Sequence, residues 1–213
     1  MINNSASLFH KYIKFTPTFR YIKKELFNNK IIIDHIAHRS FNYNHLIQHY
    51  QNRLYTLKND VYKFPHINVN ATWMKSDCCR VFISQYEGKE KFVINNFEDY
   101  QRIKNENDYV AWTLLHGNDI NHVALEVKDI HEIIERVKKD GTIQLNNEDN
   151  PIKVSKDGNL LQASTIADKI YYKFNDGEGR LVPYTFVEFV ERRNKRDGFE
   201  SENAREIFKS TNV

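Results

Sequence analysis

Residues 31–37 read IIIDHIA, a β-branched run that follows a polar stretch and predicts a strand buried on both faces. The period then changes. From Asn44 the apolar positions Leu46, Ile47, Tyr50, Leu54 and Leu57 recur at helical spacing, and Asn59 and Asp60 supply a stop. Strands are predicted over 63–69, 80–86 and 91–94, separated by Lys, Gly and Asp punctuation. A charged connector over 96–115, predicted helical, leads to a second copy of the same order. Its first strand is 121–127 (NHVALEV). Asp129 caps a helix that carries Ile130, Ile133, Ile134 and Val137 on one face, and Gly141 ends it. Three strands follow, over 142–145, over 160–165 with 171–174, and over 183–191.

The repeat predicts an α+β fold of two β-α-β-β-β modules, about 31–95 and 117–193, whose strands form one curved mixed sheet with a cavity between them. The two copies share an order of elements rather than residues, except at the first strands, where DHIAHR and NHVALE each place His second. Residues 1–30 read as an N-terminal extension and the charged 194–213 as either a closing helix over 200–209 or a frayed tail.

Composition narrows the classes open to such a chain. Its 213 residues suffice for one substantial core, and 14 Phe and 12 Tyr supply the apolar surface to offset the ordering of the backbone. A net charge of +3, from 31 basic and 28 acidic residues interspersed, excludes a dedicated nucleic-acid binder. No stretch approaches the ~20 apolar residues of a membrane span. The two cysteines, Cys78 and Cys79, are adjacent, which suits neither a disulfide nor a zinc knuckle and points to a reducing compartment. The expectation is a soluble cytoplasmic protein.

Strand alternation puts His35, Ala37 and Arg39 on one face of the first strand and Asp34, Ile36 and His38 on the other. By the same count His122, Ala124 and Glu126 share a face, as do Glu188, Val190 and Arg192. Two imidazoles and one carboxylate on three strands, 87 (122 − 35) and 66 (188 − 122) residues apart, match the facial triad that leaves positions open on non-haem Fe(II) for O2 and a chelating substrate. With 9 His and 28 carboxylates in the chain, spacing by itself does not single out this triple.

The segments 31–41 (IIIDHIAHRSF), 80–86 (RVFISQY), 117–127 (GNDINHVALEV), 160–169 (LLQASTIADK) and 183–193 (PYTFVEFVERR), in this order, do single it out. Together they resemble the 2-oxoadipate dioxygenase/decarboxylase family, related to the vicinal oxygen chelate superfamily, over about residues 31–193. The resemblance implies that His35, His122 and Glu188 hold Fe(II). It implies that Arg39 binds a substrate carboxylate, and that Gln162 and Ser164 line the cavity and contact substrate. Glu188 fits the last-strand Glu-Phe-x-x-Arg motif, with Phe189 and Arg192 at the family's offsets, whereas Glu191 falls on the opposite face. The implied reaction converts 2-oxoadipate and O2 to 2-hydroxyglutarate and CO2. Members of the family are longer, and a later segment that contacts substrate there has no counterpart in residues 1–213, which bears on the substrate more than on the metal. A metal-dependent isomerase or lyase, or a non-catalytic binding module, would use the same fold.

The remaining candidates read as structural. His45 and His49 lie four apart on the first helix without the glutamate of a metalloprotease helix, and read as solvated. His66, His116 and His131 read as surface or loop positions, His38 as structural, Cys78 and Cys79 as buried, and Lys23–Lys24 and 192–196 as solvated basic faces.

Overall fold

The computed structural model describes residues 16–28, 30–58, 60–77, 79–200 and 202–203. The chain is mixed α+β and divides into two compact units, one formed by residues up to Ile36, His122–Asp168 and the chain from Thr185, the other by Ala37–Asn121 and Lys169–Tyr184. Cys78, Asn59, most of the N-terminal extension and most of the closing helix expected over 200–209 lie outside the described residues.

The first unit begins with α1 (Pro17–Tyr21), which has proline at its first turn, where the missing N–H costs nothing, and continues as a π-helical turn, Ile22–Leu26. It then takes in the start of β1 (Ile33–Ser40), most of β6 (Ile120–Glu126), α5 (Ile130–Asp140) and strands β7 (Lys153–Val154), β8 (Leu160–Ser164) and β11 (Phe186–Arg192). The hydrogen-bonded order here is β1-β6-β11-β8-β7. β11 runs parallel to β6, with Phe186 opposite His122 and Glu188 opposite Ala124, and antiparallel to β8, with Glu188 opposite Ser164. α5 forms as its sequence dictates. Asp129 accepts the backbone N–H groups of His131 and Glu132, Ile130, Ile133, Ile134 and Val137 are buried, and Gly141 closes the helix at φ +70°, a left-handed conformation suited to glycine.

The second unit takes the rest of β1, α2 (Tyr43–Gln51), β2 (Thr56–Leu57), β3 (Tyr62–Phe64), β4 (Val69–Lys75), β5 (Arg80–Tyr86), α3 (Phe97–Glu106), α4 (Asp108–His116), β9 (Lys169–Lys173) and β10 (Gly179–Pro183). Its order is β2-β4-β5-β1, with β3 also on β4 and β9-β10 as a separate hairpin. Within it, the buried Tyr109 hydroxyl accepts the Ser40 N–H (2.9 Å) and sits 3.1 Å from Ser84 Oγ, tying α4 to β1 and β5.

Several elements depart from the sequence reading for identifiable reasons. The connector over 96–115 is two helices: Asn107 takes an extended conformation, caps α4 through Val110 N–H and donates its amide to the Ile67 carbonyl. The strand expected over 63–69 ends at Phe64, because Pro65 lacks a donor and Asn68 turns left-handed (φ 53°), and a strand that the pattern did not show, β4, begins after it. Residues 91–94 form no strand; β5 already has β4 and β1 on its two edges and offers no ladder. Residues 142–145 contribute a single bridge, Leu145 to Thr165. Residues 171–174 belong to the β9-β10 hairpin, and β11 starts at Phe186 rather than Pro183. No helix among the described residues is long and apolar enough to cross a membrane.

His38 is buried on β1 with its Nε2 2.8 Å from the Tyr50 hydroxyl. Burial holds its pKa at about 4, below the ordinary 6.5, against the opposing charge of Asp119. The unfolded chain therefore binds a proton that the folded chain refuses: this contribution to stability is complete above pH ~6.5 and is lost as the pH falls towards 4. In urea unfolding, the loss of stability from pH 7 to pH 5 is expected to be smaller by about 2 kcal/mol in His38→Gln than in the wild type. Equal losses in the two proteins would contradict the assignment.

Candidate metal centre

β1, β6 and β11 are neighbours in the sheet order of the first unit, and each delivers one side chain to a common point. His35 Nε2 and His122 Nε2 are 3.2 Å apart, and Glu188 Oε2 lies 3.3 Å from the first and 3.1 Å from the second. These three residues form the one group of potential metal ligands found among the described residues, and all three are buried. Glu191, which face counting sets on the side opposite Glu188, accepts the Ile130 N–H at the start of α5 (2.9 Å).

The spacing suits a cation. Bonds of about 2.1 Å meeting at right angles put adjacent donor atoms about 3.0 Å apart, and at the tetrahedral angle about 3.4 Å. The observed 3.1–3.3 Å falls between. Glu188 Oε2 is also buried without a hydrogen-bond partner. The electrostatics agree. Burial alone would raise the Glu188 pKa, but the charge of His35 and the closeness of both imidazoles to Oε2 bring it down to about 2. Burial would likewise keep His35 neutral, but Glu188 and Asp34 raise its pKa. A proton is thus drawn to the place where a metal would compete with it.

The imidazoles are framed by aromatic rings. Phe186 stacks on His122 at 4.6 Å between centroids, and Phe199 meets His35 edge-on at 4.8 Å. Beyond them stand polar partners. His35 Nδ1 is 2.8 Å from Asp34 Oδ1, and Arg192 reaches both Asp34 oxygens, Nε at 2.5 Å and Nη2 at 2.9 Å. Burial opposes this carboxylate, but its bonds to His35 and Arg192 hold its pKa well below the usual range. Gln162 Nε2 donates to Glu188 Oε1 at 2.5 Å, and its Oε1 accepts from Asn203 at 2.9 Å.

Sequence reasoning missed Asp34, which alternation assigns to the face opposite His35, and it misread Arg192 as solvated. A charged residue inside a strand buried on both faces was the available signal, since such a group needs a partner. Ser164 is buried and pairs in register with Glu188. Arg39 belongs to the second unit. It is buried, donates from Nη1 to Asp108 Oδ2 at 3.0 Å, and lies over the rings of Tyr109 and Trp112 at 5.3 and 5.6 Å. His116, read as a surface or loop residue, is half-buried, with Nε2 3.0 Å from the Pro183 carbonyl.

Comparison with known proteins identifies the family and the fold. The 2-oxoadipate dioxygenase/decarboxylase family model matches residues 81–195, more than half of the chain, and the protein belongs to that family. It is 36% identical over 135 residues to the chloroplastic 2-oxoadipate dioxygenase/decarboxylase of Arabidopsis thaliana, and 35% identical over 137 residues to the chloroplastic/amyloplastic one of Oryza sativa. These matches span 53% and 54% of this chain, but only 36% and 38% of the relatives. The crystal structure of hydroxyglutarate synthase from Oryza sativa in complex with 2-oxoadipate superposes with a TM-score of 0.82 at 25% identity, covering 98% of this chain and 90% of that one. A glyoxalase superfamily protein from Ralstonia eutropha shares the fold, with a TM-score of 0.77 at 19% identity over 92% of this chain and 84% of that one. The expected α+β class and family are thus both borne out.

Glu188→Gln keeps the volume of the side chain and removes its charge. Metal analysis of purified protein is expected to show about one divalent ion per chain in the wild type and nearly none in this variant, with the circular dichroism spectrum unchanged. Full retention of metal would remove Glu188 from the ligand set.

Proposed function

We propose that the protein is an Fe(II)-dependent dioxygenase/decarboxylase of a 2-oxo dicarboxylic acid, with 2-oxoadipate as substrate and His35, His122 and Glu188 as metal ligands. The observation that carries this reading is the convergence of two Nε2 atoms and one carboxylate oxygen within 3.1–3.3 Å, in a chain that belongs to this family. Two imidazoles and one carboxylate suit Fe(II) better than the thiolate-rich sets typical of structural zinc. Fe(II) held by these three residues would supply O2 activation and open positions for a 2-oxo acid that chelates through its carboxylate and keto oxygens. The reaction balances: 2-oxoadipate and O2 contain the atoms of 2-hydroxyglutarate and CO2.

The protein's own share is to bind, orient and exclude water. Buried Phe186 and Phe199 beside the imidazoles keep the ligand side dry, which strengthens every charge interaction there. Arg39 would take the distal carboxylate of the substrate. Its present carboxylate partner, Asp108, and the flanking Tyr109 and Trp112 rings form a setting already suited to a planar guanidinium–carboxylate pair. Ser164, opposite Glu188 in the β8-β11 register, and Gln162, which donates to Glu188 Oε1, are both buried and would contact the keto acid. O2 as co-substrate and a cytoplasmic location belong to the same reading.

The test is oxygen consumption by the Fe(II)-loaded protein. Uptake with 2-oxoadipate, matched one to one by CO2 release, is expected. No uptake with 2-oxoadipate or any shorter 2-oxo acid would overturn the proposal, and turnover without O2 would indicate an isomerase or lyase. Arg39→Lys, which retains the charge and loses the planar fork, is expected to raise KM for 2-oxoadipate about 10–100-fold with a smaller effect on kcat.

A further inference from the structure

We propose that Gly198, Phe199 and Asn203 brace the candidate metal centre through two directional hydrogen-bond chains that orient His35 and Glu188 as ligands. The inference rests on the metal reading above and concerns residues that contribute no ligand.

The first chain runs from Gly198 to His35. The Gly198 carbonyl accepts from Arg192 Nη1 at 2.7 Å, while Arg192 Nε and Nη2 grip Asp34 at 2.5 and 2.9 Å. A carboxylate only accepts, so Asp34 requires the proton of a neutral His35 to sit on Nδ1, 2.8 Å away. The Nε2 lone pair is then the one directed at His122 and Glu188. Phe199 touches both ends of this chain: its ring lies under the Arg192 guanidinium at 5.4 Å and against the His35 ring at 4.8 Å.

The second chain runs from Asn203 to Glu188, and its polarity is also dictated by a carboxylate. Glu188 Oε1 needs a donor, so Gln162 presents Nε2 to it at 2.5 Å and must turn Oε1 outward. Asn203 answers that oxygen with its own amide N–H at 2.9 Å. Occupying Oε1 leaves Oε2 as the oxygen that faces both imidazoles, at 3.3 and 3.1 Å. Asp34, Gln162, Phe199 and Asn203 are all buried, so water does not substitute for a lost partner at low cost. Gly198 and Asn203, where the two chains end, are five positions apart in the sequence.

Asn203 and Phe199 are therefore positioning residues. Asn203→Asp keeps the shape and replaces the donor with an acceptor, which forces Gln162 either to lose that bond or to flip an oxygen towards Glu188. Titration of the metal-free full chain with Co(II), followed by its visible absorption, is expected to show about 10–100-fold weaker binding in Asn203→Asp than in the wild type. The metal-free variant is expected to have a lower thermal midpoint, because a buried bond is lost, and an unchanged circular dichroism spectrum, so that the weaker affinity is read on folded protein. Equal Co(II) affinity would overturn the brace, whereas a wild type that takes no Co(II) would overturn the metal reading and the brace with it. Should Asn203→Asp fail to fold, Asn203→Leu carries the same expectation. Independently of metal, 15N NMR of the wild type at alkaline pH should show neutral His35 protonated on Nδ1; the opposite tautomer would overturn the first chain.

Discussion

The Glu188 carboxylate is removed from water on every side, and an ionised group so placed costs several kcal/mol unless charge or donors compensate it. Much of the first unit answers that demand. Two imidazoles approach one oxygen, Gln162 donates to the other, and the strands that carry these groups are held side by side by the β1-β6-β11-β8 order. The strand register matters as much as the residues. A slip of one residue between β6 and β11 would turn Glu188 to the other face, where Glu191 caps α5.

Two arginines serve different ends. Arg192 is committed to Asp34 and so to the orientation of His35, an interior pairing whose worth lies in geometry rather than net stability. Arg39, also buried, donates to Asp108 and lies over the rings of Tyr109 and Trp112. A lysine in place of Arg192 would keep the charge and lose the fork that makes two bonds to Asp34.

The family match covers residues 81–195, which include His122, Gln162, Glu188 and Arg192 but not His35. His35 enters from a strand outside that span, because β1 pairs beside β6. The candidate centre is thus assembled from residues 87 and 66 positions apart in the chain, joined by a sheet order that sequence distance does not express.

Local patterns in the sequence determined a good deal on their own. The Asp129 cap, the apolar face of α5 and its glycine stop follow from interactions within a few residues, as does the β-branched run of β1. Alternation along one strand was enough to prefer Glu188 to Glu191, and the ordered motifs placed the chain in its family. Only tertiary structure decided what depends on distant partners. Residues 91–94 stay out of the sheet because β5 has both edges filled, and Asn107 breaks a helical pattern through its bond to Ile67. Arg192 is interior because Asp34, 158 positions away, meets it. Asp34 itself shows where alternation fails, since a side chain assigned to one face can still reach the imidazole of its neighbour once an arginine holds it there. Periodicity records which way a side chain leaves the backbone, whereas the partner it finds is set by which strands pair, and that is a property of the whole fold.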